Sequence, residues 1–149
     1  MKSLFNERDS NEIINRISTL TSEIKPQWGK MSAAQMMAHV QMPLKVAVGE
    51  VKLKRGLIGI LFGRIAKNKL AGEVPFSRNL PTDKNFIIRN QPGFEEERQL
   101  LVSIVRRFQQ LGPDGLSKEP HPFFGKLTVQ EWDNLMWKHL DHHLRQFSV

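Results

Sequence analysis

The sequence predicts an all-α domain, organised as a four-helix bundle. Four stretches carry apolar residues at helical spacing, clusters of proline and glycine separate them, and no strand pattern competes strongly with these helices. A chain of 149 residues is long enough for one hydrophobic core. We therefore expect residues 1–149 to form a single bundle domain.

The N-terminal part predicts two helices. Asp9 and Glu12 resemble a capping box, and the apolar stripe that follows them continues to Pro26. Ser32 can cap the second helix, whose apolar stripe fades at Gly49. These two helices supply the first half of the predicted bundle.

Pro43 lies inside the second predicted helix. Because proline has no N–H, the carbonyl of His39 loses its intrahelical partner, and a kink is expected beside this histidine. The connection that follows is long and holds one possible short helix, from about Leu57 to Leu70. Long connections in compact domains are often functional.

The C-terminal part predicts helices three and four. Helix three begins after Gly93, carries three glutamates in its first turn and ends at Gly112. Helix four begins after Thr128, with Glu131 three residues on as in a capping box, and continues to about Phe147.

Histidines on the core faces of helices two and four indicate a metal site. His139 and His143 lie one helical turn apart on one face, so both imidazoles can reach the same ion. If helix two lies beside helix four, His39 comes opposite this pair. We therefore predict one divalent transition metal bound by His39, His139 and His143. The alternative is a set of core histidines that are hydrogen-bonded and bind no metal. Each buried nitrogen that then lacks a partner would destabilise the fold by about 1–3 kcal/mol.

Three further residues are candidates for supporting roles. His142 lies at the margin of the core face of helix four. It is a hydrogen-bond partner of a metal ligand, a catalytic base or a surface residue. Gln146, on the inward face one turn later, can orient a ligand or satisfy another polar group. His121, between two prolines before helix four, is either structural or a catalytic proton acceptor. The catalytic residues stay open between His142 and His121.

The composition excludes some chemistry. The chain has no cysteine, so it forms no disulfide and offers no thiolate ligand, and any thiol must come from another molecule. Charged residues near the N-terminus predict no cleaved leader, and therefore a cytoplasmic protein. The longest apolar run, residues 56–62, is far shorter than the roughly 20 residues of a membrane-spanning helix.

The net charge of +7 is concentrated between residues 52 and 69. Such a segment is consistent with an anionic partner, such as nucleic acid, a lipid surface or an acidic substrate. A solvated lysine-rich face is the favoured alternative, so nucleic acid is not an expected partner. The segment consists of Lys52, Lys54, Arg55, Arg64, Lys67 and Lys69.

Helix four has apolar residues outside its core stripe as well. Trp137, Leu140 and Leu144 lie on this second side. Either the predicted segment 57–70 or a second subunit must cover them. We expect a homodimer.

Several motifs resemble those of the DinB-like superfamily. The stretches are WGKMSAAQMMAHVQ, PFSRNLPT, HPFFGKLT and KHLDHHLRQF, and the last two resemble an uncharacterised subgroup. The resemblance implies an up-down-down-up bundle in which His39, His139 and His143 bind nickel or zinc. Some members are thiol-dependent transferases or isomerases, whose metal activates a low-molecular-weight thiol such as bacillithiol or mycothiol.

Three functions follow from these predictions. Because three protein ligands leave a coordination position open, the site is typical of catalysis. The first function is a metal-dependent S-transferase that joins a low-molecular-weight thiol to an electrophilic small molecule. The second is a metal-dependent hydrolase that uses bound water. The third is a binding module, without chemistry, for an anionic partner.

Overall fold

A computed structural model describes residues 2–54, 56, 59, 63, 67 and 74–149. The prediction of an all-α bundle is confirmed, since these residues form helices and no strand. None of the described helices is long and apolar enough to span a bilayer. Four helices are described over their full length: α1 (Glu7–Ser18), α2 (Ala33–Ala47), α3 (Phe94–Leu111) and α4 (Val129–Gln146).

Helices α1 and α4 run parallel. Just before α1, the backbone N–H of Leu4 donates to the carboxylate of Asp133, early in α4, over 2.8 Å. Near the other end, the guanidinium of Arg16 pairs with Asp141 at 2.8 Å. Contacts at both ends therefore set the two helices side by side in one direction.

Helices α2 and α3 also run parallel to each other. The amide of Gln41, in the middle of α2, donates to the Glu97 carboxylate in the first turn of α3 over 2.6 Å. Just after α2, Glu50 pairs with Arg107 at 3.1 Å, in the second half of α3. The order of these contacts along both helices requires a common direction.

Helix α1 is antiparallel to α3, which completes the topology. Phe5, just before α1, stacks on Phe108 near the end of α3 with ring centroids 5.0 Å apart. At the opposite end, Arg98 donates to the carbonyl of Leu20 over 2.8 Å. The four helices therefore run up, down, down and up, as the resemblance implied.

The predicted start and end of the first helix are wrong. The side chain of Asn6, not Asp9, caps the helix, and it accepts the backbone N–H of Asp9 over 3.2 Å. Asparagine caps helices as well as aspartate does, so the helix begins earlier than expected. The helix ends at Ser18 rather than at Pro26. Directly after Ser18, the hydroxyl of Thr19 donates to a backbone carbonyl of the last turn and competes with the helical hydrogen bonds.

The predicted starts of the other three helices are confirmed. Ser32 and Gln35 form a capping box at α2, and Thr128 and Glu131 form another at α4. Gly93 precedes α3, as expected. Side-chain oxygens at both capping boxes satisfy backbone N–H groups that the helix itself leaves without partners.

The predicted short helix from Leu57 to Leu70 lies largely outside the described residues. Its three described members, Gly59, Gly63 and Lys67, are helical. The ammonium of Lys67 pairs with Glu131 at 2.9 Å, so this charge is part of an internal ion pair. The other described cations of the basic segment are Lys52 and Lys54, whereas Arg55, Arg64 and Lys69 lie outside the described residues.

The apolar residues on the second side of α4 are covered within one chain. Trp137, Leu140 and Leu144 are 6%, 1% and 1% exposed. Helix α1 packs against α4, and Lys2, before α1, lies over the ring of Trp137. These side chains therefore need no second subunit to bury them. The expectation of a homodimer depended on their exposure, and the structure does not support it.

Candidate metal centre

Three imidazoles from two helices meet inside the bundle. Helix α2 supplies His39 and α4 supplies His139 and His143, and their ligand nitrogens all lie within 4.8 Å of one another. The ring centroids are 4.9, 4.8 and 4.8 Å apart, and each pair of rings is close to perpendicular. The rings thus form a nearly regular triangle. The three residues predicted as metal ligands are close enough together to hold one metal ion.

A backbone carbonyl determines which nitrogen of His39 faces the centre. Nδ1 lies 2.9 Å from the carbonyl oxygen of Phe86, the buried last residue of a 3₁₀ turn. Because a carbonyl only accepts, Nδ1 carries the proton and Nε2 has a free lone pair. This Nε2 is 3.1 Å from Nε2 of His139. Two nitrogens bound tetrahedrally at about 2.0–2.1 Å lie about 3.3 Å apart, so this spacing suits a shared ion.

Two hydrogen bonds through Gln146 orient His143. Its Nδ1 lies 2.8 Å from Oε1 of Gln146, while Nε2 of Gln146 donates to the carbonyl of Trp28 over 2.6 Å. The Trp28 carbonyl requires the amide nitrogen, so the amide oxygen must face His143. Nδ1 of His143 therefore donates, and its Nε2 has the free lone pair. Gln146 is thus in contact with one of the three histidines.

The turn before α2 leaves space for the side chain of Gln146. Gly29 has a φ of +80°, a conformation that side chains rarely adopt, and a Cβ there would lie 2.7 Å from Nε2 of Gln146. The backbone N–H of Gln27 donates to the Gln146 carbonyl over 2.7 Å. The sequence analysis predicted neither this turn nor the contact with the carbonyl of Phe86. The glycine after Trp28 could have indicated the turn.

Burial keeps the imidazoles neutral. Loss of solvent lowers the pKa of His39, lowers that of His143 to about 3, and lowers that of His139 well below its ordinary value. The proximity of the other histidines adds to the effect at His139 and His143. A neutral imidazole is the form that binds metals. His39 and His143 are buried, whereas His139 is partly exposed.

His142 lies beside the triangle and faces a cleft. Its half-buried ring is 5.1 Å from that of His143 and 5.5 Å from that of Trp28, measured between centroids. Burial lowers its pKa below the ordinary value. The adjacent cleft has a volume of about 500 Å³ and is lined by Gln27, Trp28, Pro75, Phe76, Arg78, Trp137, Lys138, Asp141, His142 and Arg145.

His121 is buried in the turn before α4. Its Nδ1 accepts the backbone N–H groups of Phe123 and Phe124 over 3.1 and 3.2 Å, and its backbone pairs with that of Gly125. Burial lowers its pKa to about 4, which keeps this nitrogen available as an acceptor. The geometry favours the structural alternative for His121, because Nδ1 is already used to close the turn.

Replacing Gln146 with leucine is expected to weaken metal binding about 10- to 100-fold, as loss of an outer hydrogen-bond partner usually does. Leucine has a similar size but cannot accept the proton of His143, so the ring loses its orientation. A competition titration with a chromophoric chelator measures the change. Gln130→Leu, at an exposed position of α4, is the matched control. Equal affinities for the two variants would contradict the prediction.

Comparison with known proteins identifies a family. A family described as "Protein of unknown function (DUF1569)" matches residues 2–149. No curated protein and no solved structure is similar enough to count as a match. The family has a DinB-like fold, in agreement with the topology of the helices and with the resemblance in the sequence. The chain therefore belongs to the DUF1569 family, which shares the DinB-like fold.

Proposed function

We propose that this protein is a metal-dependent S-transferase. It holds one nickel or zinc ion on His39, His139 and His143 and joins a low-molecular-weight thiol to an electrophilic small molecule. The observation that carries the proposal is the convergence of three neutral imidazoles whose tautomers leave Nε2 free on His39 and His143. Three protein ligands leave room for a substrate atom, as in catalytic sites.

The donor set leaves a coordination position that a thiol can occupy. When bound, the metal acts as a Lewis acid and stabilises the thiolate of a coordinating thiol. The chain contains no cysteine, so the protein cannot supply this sulfur itself. The cleft beside His142 has room for a small thiol and its acceptor. The sulfur therefore comes from a co-substrate.

In this proposal, His142 accepts the proton of the thiol. Its ring is adjacent to His143 and lines the cleft, and its lowered pKa keeps it neutral near pH 7. In the reaction, the S–H proton passes to His142 and a bond forms between sulfur and the electrophilic atom. The electron pair of the bond that breaks departs with the leaving group, which takes up the proton in turn.

Cobalt-loaded protein tests the proposal. Titration with 2-mercaptoethanol is expected to produce a near-ultraviolet band from sulfur ligation and to alter the visible cobalt bands. 2-Methoxyethanol, which has no thiol, is the control and should leave both unchanged. A cobalt spectrum that responds to neither 2-mercaptoethanol nor cysteine would overturn the S-transferase function, although the metal site itself would stand.

A further inference from the structure

We propose that the cleft beside the three histidines binds the anionic group of a small substrate, with Arg78 as the binding cation. The occupant is a molecule with an apolar body and one carboxylate or phosphate. That this molecule is the thiol or its acceptor rests on the proposed function. The cleft itself can be tested without a metal.

The cleft is next to the triangle of histidines. Phe76, in its wall, has its ring centroid 6.2 Å from that of His139 and 5.9 Å from that of His142. Lys138 directly precedes His139 on α4 and also lines the cleft. The cleft is therefore beside the site, on the side of His139 and His142.

The wall of the cleft carries a positive charge. Among the residues that the structure describes, three cationic side chains, those of Arg78, Lys138 and Arg145, line it together with the carboxylate of Asp141. This carboxylate is already engaged by Arg145 at 2.9 Å and by Arg16 at 2.8 Å. The charge of Asp141 is thus largely neutralised, and the described part of the wall favours an anion.

Aromatic rings hold two of these cations in place. The guanidinium of Arg78 lies over the ring of Trp28 at 4.4 Å, and the ammonium of Lys138 lies over Phe76 at 4.9 Å. A ring positions a cation without cancelling its charge. A stacked guanidinium also keeps its N–H groups in the plane at its edge, where a carboxylate or a phosphate can bind them.

The size and lining of the cleft define the class of ligand. Its volume of about 500 Å³ is within the usual range of about 300–1,000 Å³ for small-molecule sites. Trp28, Phe76 and Trp137 provide apolar surface beside the cations. A small anion with a flat or apolar body satisfies both features, whereas a neutral polar molecule satisfies neither.

Binding to the metal-free protein tests this inference. Calorimetry or ligand-observed NMR compares 3-phenylpropionate and phenyl phosphate with the neutral alcohol 3-phenylpropan-1-ol. We expect at least one acid to bind about tenfold more tightly than the alcohol at low salt. Arg78→Gln should remove most of this preference, and Arg106→Gln, an exposed arginine on α3, should retain it. The two acids distinguish a carboxylate from a phosphate ligand.

Two results would overturn the inference: equal binding of acids and alcohol, or equal loss of preference in Arg78→Gln and Arg106→Gln. Circular dichroism establishes that both variants fold. An anion preference without any metal binding would contradict only the proposed function. Metal binding without the anion preference would contradict only the proposal for the cleft.

Discussion

Replacing His139 with alanine is expected to remove stoichiometric metal from the purified protein. A zinc site with its full ligand set is stabilised by about 10–16 kcal/mol, so each ligand contributes roughly 3 kcal/mol. Loss of one imidazole should therefore weaken binding by at least about a hundredfold. His139 is the residue to replace because its Nε2 lies 3.1 Å from that of His39. Elemental analysis after gel filtration measures the metal content.

His142→Ala is the matched control for this experiment. It removes a neighbouring imidazole from the same helix, but His142 is not one of the three clustered ligands. Its metal content should equal that of the unchanged protein. If His139→Ala kept a full complement of metal, or if His142→Ala lost it as completely, the assignment of His39, His139 and His143 would be wrong.

Addition of the metal is expected to stabilise the fold by about 4 kcal/mol when the free ion is at about 1,000 times its Kd. The unfolded chain does not hold the three imidazoles together, so the ion binds the native state and shifts unfolding by mass action. For a domain of this size, such a change raises Tm by about 10 °C. The ion would join α2 to α4, two helices that carry the ligands far apart in the chain.

Thermal unfolding followed by circular dichroism measures this stabilisation. EDTA should return the protein to the lower Tm, and His139→Ala should show little change on addition of metal. A rise in Tm of the same size in His139→Ala would place the stabilising ion elsewhere. No rise in the unchanged protein at saturating nickel and zinc would count against a site that binds either ion in the folded state.

Helical periodicity was sufficient to predict the helices of the bundle and the faces that they bury. The capping boxes at Ser32 and Thr128 are local patterns, and the structure has both. The first helix was predicted less well because Asn6 and Asp9 are both good caps, and the structure uses Asn6. The second apolar side of α4 suggested a partner subunit because periodicity does not reveal that the rest of the same chain buries it.

The sequence by itself determined the four helices and the three histidines on two of their core faces, because both depend on spacing within a helix. Only the tertiary structure decided which nitrogens face the centre. The carbonyl that orients His39 comes from a residue 47 positions away, and the carbonyl that orients Gln146 comes from one 118 positions away. It also placed Arg78 beside α4. Spacing cannot predict such contacts, because they depend on how separate segments pack.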